Sequence, residues 1–289
     1  MGWVDLFLIT ALSSMSYFHS VFKRHTHVST QILESPFKKT SSTQYIAYPS
    51  NFADIVQGFY LKGVQFSDID TVTLYIQDQP IQSFTGEWIE MYHQLRTPKQ
   101  KRTLLYESEY VMIPFKKYIP LFQDMKIILE LFDQNDNVRL FIDYVFLENP
   151  PAQENMIIEQ VQVTDSPENL NFKRPVKELY ISVKDASGSY TSNVASIRFD
   201  MNEFTKVDQP SIYFRYVQPL DYHTSVPGYF YTYSFCLDPE SEFPTGSINM
   251  GRVKHQNLQL TYTDTTPKNV KVYAHSYNVL SPDGKLLFT

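Results

Sequence analysis

Few side chains in this sequence are grouped as chemistry would require. The tightest cationic cluster is Lys23-Arg24-His25-Thr26-His27. On an extended backbone His25 and His27 would point the same way, but two imidazoles fall short of a zinc site, which needs three or four protein ligands. No other histidine is tied to them by spacing, so a structural or inter-subunit role is expected. Glu87 and Glu90, with Glu107 and Glu109 further on, could form acid–base pairs. They stand among Lys and Arg, and Glu87, next to Trp88, is read as capping or orienting a helix. The run Asp133-Gln134-Asn135-Asp136-Asn137 is superficially like a calcium loop. It lacks the glycine at position six and the glutamate at position twelve, where Val138 and Tyr144 stand. Cys236 is the single cysteine, so neither an internal disulfide nor a thiolate cluster is available. Between Phe235 and Leu237 it is expected to be a small half-buried side chain. Tyr213-Phe214-Arg215-Tyr216 and Tyr229-Phe230-Tyr231 could make a carbohydrate platform. Aromatic enrichment is general along the chain, however, which favours packing in the core and between subunits. No nucleophile elbow, phosphate loop, H-E-x-x-H or G-x-G-x-x-G occurs. The expectation is a protein that is not an enzyme and takes no metal and no cofactor.

The composition points the same way. In 289 residues there are 21 Tyr and 21 Phe, against only 9 Gly. Aromatic and β-branched residues favour sheet, and 17 Pro, mostly between the apolar runs, suit many short strands. The net charge is −6 and no basic block exists, which argues against direct nucleic-acid contact. The apolar run Trp3–Leu12 contains Asp5 and has no Lys or Arg before Lys23. It is well short of the ~20 residues that span a bilayer and reads as a short helix or interfacial segment.

The elements that would carry these residues form two β domains. Glu148-Asn149-Pro150-Pro151 breaks all regular structure between them. The expected division is an N-terminal arm over residues 1–27, a first sandwich over 28–149 and a second over 150–289. Strands are predicted at residues 28–33, 59–66, 71–76, 109–114, 126–132 and 138–147. The second half is read with strands at 157–164, 176–183, 194–199, 229–237, 256–262 and 270–280. Residues 71–76 alternate polar and apolar, the period of a half-buried strand. Asp133–Asn137 reads as a hairpin connection. Gly86–Leu95 reads as a helix, because Trp88, Met91, Tyr92 and Leu95 recur at three- and four-residue spacing and Thr97-Pro98 ends it. Lys99–Leu105 reads as a second short turn, and the segments between Arg102 and Glu109 and between Phe199 and Gln209 as short loops. Many short strands per half imply β-sandwiches.

The wording of the C-terminal residues resembles the major capsid proteins of nucleocytoplasmic large DNA viruses. The matching residues are Tyr233-Ser234-Phe235 with Pro239-Glu240, then Pro244-Thr245-Gly246-Ser247 with Asn249 and Arg252, and then Val272-Tyr273-Ala274 with Tyr277-Asn278-Val279-Leu280. Gly86-Glu87-Trp88 and the opening Tyr17–Thr26 extend the likeness over nearly the whole chain. The resemblance implies an all-β double jelly roll, two tandem eight-stranded antiparallel sandwiches with short helices in loops, in a short member or paralogue of the family. It further implies homotrimeric, pseudo-hexagonal capsomers that tile an icosahedral shell and contact minor capsid or penton proteins. A minor capsomer, a membrane scaffold or a carbohydrate-binding jelly roll are the alternatives. The site of action would be the virion, assembled in the host cytoplasm. Trp3, Phe7, Lys23, Arg24 and His25 would lie at the base, facing minor proteins or the phosphates of an inner viral membrane. Gly86, Glu87, Trp88, Pro244, Gly246, Asn249, Arg252, Tyr273, Tyr277 and Asn278 would be structural.

Overall fold

The computed structural model describes residues 27–150 and 152–288. The expected base residues Trp3, Phe7, Lys23, Arg24 and His25, and with them almost all of the 1–27 arm, lie outside the described residues.

Among the described residues the first half carries ten strands: β1 (Val28–Ser35), β2 (Lys38–Lys39), β3 (Gln44–Ala47), β4 (Ile55–Lys62), β5 (Ile69–Ile76), β6 (Gln79–Thr85), β7 (Tyr110–Ile113), β8 (Ile119–Pro120), β9 (Met125–Leu131) and β10 (Arg139–Leu147). One sheet runs β1-β10-β4-β7, with β8 also on β4, and the facing sheet runs β2-β3-β9-β5-β6. Strand alternation builds the core. In β9 Met125, Ile127, Leu129 and Leu131 are buried and the residues between them are not. Two helices, α1 (Gly86–Arg96) and α2 (Lys99–Glu107), fill the connection from β6 to β7.

The second half carries β11 (Met156–Thr164), β12 (Pro175–Asp185), β13 (Val194–Met201), β14 (Phe204–Pro210), β15 (Tyr231–Ser234), β16 (Ile248–Asn249), β17 (Gln256–Tyr262) and β18 (Lys268–Leu280). Its sheets run β11-β18-β12-β15, with β16 also on β12, and β14-β13-β17. The winding repeats that of the first half. In each, the first strand pairs the last, the last pairs the strand that opens the central meander, and a strand in two pieces (β7 with β8, β15 with β16) closes that sheet. The second half lacks only a counterpart of β2–β3. Both halves are antiparallel sandwiches of the jelly-roll type.

Several details differ from the sequence reading. The predicted strand 59–66 stops at Lys62, where Gly63 turns with φ +79°, and Phe66–Asp68 is a 3-10 turn. Asp133–Asn137 makes no hairpin: β9 and β10 lie in opposite sheets, and the segment passes over the edge of the sandwich at the surface, pinned by the Asn135 amide that donates to the Gly63 carbonyl (2.8 Å). The run 229–237 is a strand only over Tyr231–Ser234. There the Ser234 hydroxyl takes up the backbone of Cys236, donating to its carbonyl at 3.0 Å, and turns the chain. Cys236 is fully buried rather than half-buried. Residues 204–210, read as part of a short loop, form β14. Both its faces are largely exposed, so it shows no hydrophobic period. The Lys99 turn is a nine-residue helix. The aromatic run at 213–216 is helical: residues 211–222 are one helical run comprising a π-turn (Tyr213–Val217) and α3 (Gln218–Tyr222). Pro219, which has no N–H to donate to residue 215, sits just past the widened turn.

Candidate functional site

The two sandwiches are locked together by α1, and the chemistry of the described residues is concentrated there. The helix starts where Thr85 accepts a hydrogen bond from the Trp88 backbone (3.2 Å). Capping is therefore done by Thr85, and Glu87 is free for another task. Its carboxylate reaches across to the second sandwich, accepting from Ser182 (2.6 Å), Tyr190 (3.1 Å) and Tyr273 (2.9 Å), with the Lys184 ammonium at 3.2 Å. Burial raises its pKa, but these hydrogen bonds and Lys184 outweigh it and hold the group below the usual carboxylate range. Gly86 is required by close approach. A Cβ there would lie 2.0 Å from the Phe66 carbonyl oxygen and 2.6 Å from that of Ile69.

Trp88, Tyr92 and Arg96 recur every four residues and form the stripe of α1 that meets the second sandwich. Trp88 stacks on Phe84 and meets the edges of Tyr180 and His275. The Arg96 guanidinium covers the Tyr92 ring at 4.0 Å and donates to Tyr180 (3.3 Å) and to the Pro239 carbonyl (2.5 Å). The receiving surface is the outward face of β12 and β18. On these strands Leu179, Ile181, Val272 and Ala274 point into the second core, while Tyr180 and Tyr273 join the core of the first sandwich. One hydrophobic core thus runs through the junction.

Around Arg96 lies a buried set of charges. Lys177, fully buried, pairs with Glu159 and donates to the Pro239 carbonyl (3.0 Å). His275 Nε2 lies 2.9 Å from the other Glu159 oxygen. His223 sits between Glu178 (2.5 Å) and Glu240 (3.1 Å). Burial lowers the His275 pKa, Lys177 lowers it further, and it falls to about 4, so this imidazole is neutral. Glu159 is held below its usual range: burial opposes this, but the surrounding cations prevail. Burial would also lower His223, yet the Glu178 charge and the bonds to Glu178 and Glu240 win and raise it to about 9. A cleft of about 360 Å³ opens beside this set, lined among others by Lys116, Lys117, Glu240 and Glu242. Its mixed signs select neither an anion nor a cation.

The His223 arrangement sets a pH dependence. Its folded pKa of about 9 exceeds the ordinary 6.5, so its contribution is full below pH 6.5 and is lost as pH rises through 9. His275, depressed to about 4, works the other way, and its contribution is lost as pH falls from 6.5 towards 4. The thermal midpoint should therefore peak near pH 6.5. In His223→Gln the fall between pH 6.5 and 9 should be at least halved. An unchanged alkaline slope in scanning calorimetry would remove His223 from this role.

The structure brings Gly86, Glu87, Trp88 and Tyr273 together at the junction. Tyr277 joins them by lying under the Lys177 ammonium (5.3 Å to its ring). Asn278 is buried and donates to Gln160 (2.7 Å) and to the Phe288 carbonyl (2.7 Å), tying down the chain's last described residues. The remaining four stand apart, in the connection from β15 to β17. Pro244 and Arg252 are exposed. Gly246 has φ +140°, and a Cβ there would lie 3.2 Å from the Cys236 Cα. Asn249 caps a short turn by accepting from the Gly251 N–H (3.1 Å). Missing from the sequence reading as a group are Arg96, Glu159, Lys177, Glu178, His223 and His275. The available signal was Lys177-Glu178 inside an otherwise continuous apolar strand, since charges there must be paired or hydrogen-bonded. Among the described residues no grouping of His, Cys, Asp and Glu suits a metal ion.

Comparison with known proteins places these features in context. The sequence pattern of the large eukaryotic DNA virus major capsid proteins matches residues 144–284. The major capsid protein of Pyramimonas orientalis virus is 24% identical over 374 aligned positions, spanning 96% of this chain and 94% of that protein. Among solved structures, PBCV-1 VP54 superposes with a TM-score of 0.78 at 18% identity, covering 95% of this chain and all of that one. The Faustovirus major capsid protein superposes with a TM-score of 0.70 at 9% identity over 100% of this chain and 94% of that one. At such identities the superpositions establish the fold alone, a double jelly roll.

Proposed function

We propose that this chain is a capsid protein of the large eukaryotic DNA virus major capsid type, as the family pattern over residues 144–284 and the full-length similarity to the Pyramimonas orientalis virus protein support, and that its role in the virion is that of the repeating capsomer subunit. In this reading three copies surround a threefold axis, each contributing two sandwiches, residues 28–149 and 150–289. Six similar walls then outline a pseudo-hexagon, and hexagons tile a facet. Assembly would occur in the host cytoplasm, with minor capsid proteins and an inner membrane as further partners. Gly86, Glu87, Trp88, Tyr273 and Tyr277 would serve this function by fixing the angle between the sandwiches.

The observation that carries the reading is the repeated winding of two sandwiches held side by side by α1 and a continuous core. A subunit whose halves pivoted freely could not present walls at a constant angle. The polar locks on Glu87 and around Lys177 oppose such pivoting. Light scattering on the purified protein should give the mass of three chains of 33.8 kDa each. A single-chain mass at micromolar concentration would overturn the trimer.

A further inference from the structure

The repeated winding pairs α1 with a second element. In the first sandwich α1 follows β6, and in the second the helical run 211–222 follows β14, the strand in the same place. Trp88, Tyr92 and Arg96 of α1 seat on the outward face of β12 and β18 within the chain. The helical run carries a matching stripe with the same four-residue spacing, Ile212, Tyr216 and Leu220. These are 60%, 39% and 70% exposed among the described residues, Tyr216 with the Arg215 guanidinium over its ring at 5.4 Å.

The receiving face has its counterpart too. In the first sandwich β4 and β10 correspond to β12 and β18. Residues paired across strands share a face. Ile32 pairs Asp143, and Tyr60 pairs both Phe141 and Met112, so these five form the outward face of the β1-β10-β4-β7 sheet. Ile32 is 60% exposed there, and Phe141 and Tyr60 are half-buried. Asp143 is buried in this face, and its Oδ1 has no hydrogen-bond partner among the described residues. Among the described residues, an apolar stripe and a sheet face whose apolar middle is bordered by Glu34, Lys62 and Arg139 are thus left open on opposite sandwiches, each equivalent to a surface that is covered elsewhere in the chain. Arg215, next to Tyr216, carries the charge opposite to Asp143.

We propose that the helical run 211–222 of one copy seats, through Ile212, Tyr216 and Leu220, on the outward β1-β10-β4-β7 face of the next copy, repeating between chains the contact that α1 makes within one. The partner is a second copy of this chain, and the assignment rests on the trimer reading above. A contact between two different surfaces closes into a ring when the rotation is a whole fraction of a turn. Repeating one geometry within and between chains makes the six walls alike.

Two experiments test the assignment. First, a photocrosslinker is placed at Tyr216 in the full chain, and the products are mapped by peptide mass spectrometry. Crosslinks should join different copies and fall on peptides containing Ile32, Tyr60 or Phe141. Inter-chain crosslinks confined to the second sandwich, or none, would overturn it. Second, Ile212→Glu with Leu220→Glu changes only exposed positions, so folding should survive, as circular dichroism can verify. The trimer's dissociation midpoint should rise by at least about 100-fold in concentration. A wild-type trimer that the double variant leaves unchanged would refute the surface and spare the trimer. A monomeric wild type would refute both.

Discussion

Gly86→Ala should destabilise the protein by about 3 kcal/mol or more, lowering the urea midpoint without restoring any contact. The added methyl group would overlap the Phe66 and Ile69 carbonyl oxygens at 2.0 and 2.6 Å. Both belong to backbone that enters β5, so no side-chain rotation can make room. Relief requires α1 to lift, and lifting it withdraws Trp88 and Glu87 from the second sandwich. Gly228→Ala is the matched control, since its nearest neighbour is the tip of Gln94 at 3.6 Å; a change within about 0.5 kcal/mol is expected there. Equal losses in the two variants would mean that the seat of α1 is not the cause.

Lys177→Met should be comparably severe, costing about 3 kcal/mol. Its ammonium is fully buried against Glu159 and donates to the Pro239 carbonyl. Removing one member of such a pair strands the other, which is the expensive way to break it. His275 cannot compensate, because burial keeps its imidazole neutral until about pH 4. The companion double variant Lys177→Met/Glu159→Leu removes both charges and should recover more than half of the loss. Chemical denaturation of the wild type, both single variants and the double variant gives the coupling directly. Additive losses would show that the two charges do not act as a pair.

Both predictions concern a junction that the sequence disclosed only in part. The helix was legible because Trp88, Met91 and Leu95 keep a helical period and all three are buried. Strands β5, β9 and β17 were legible because one face of each meets a core while the other meets solvent or polar neighbours. β14 was not, since a strand exposed on both faces carries no period. The Asp133–Asn137 crossing was misread because turn residues announce a reversal without saying which sheet receives the chain. The charge set was missed for a related reason. Lys177, Glu178 and His275 lie on strands buried on both faces, where alternation disappears and a polar residue gives no hint of the partner it will meet. Glu87 stands out in the sequence, but the hydroxyls that donate to it, on Ser182, Tyr190 and Tyr273, are nearly a hundred residues or more away in the chain. The helical stripe of Ile212, Tyr216 and Leu220 acquires meaning only beside its counterpart on α1, and no close sequence repeat links the two halves.

The proposed capsomer is pseudo-hexagonal and built from two rigidly joined sandwiches per chain. The most direct test is electron microscopy of the purified protein, with class averages of single particles viewed along their symmetry axis. The account predicts a threefold particle with a hexagonal outline and six similar lobes, two from each chain. Particles of two lobes, or three-lobed particles whose lobe pairs vary in angle, would contradict it.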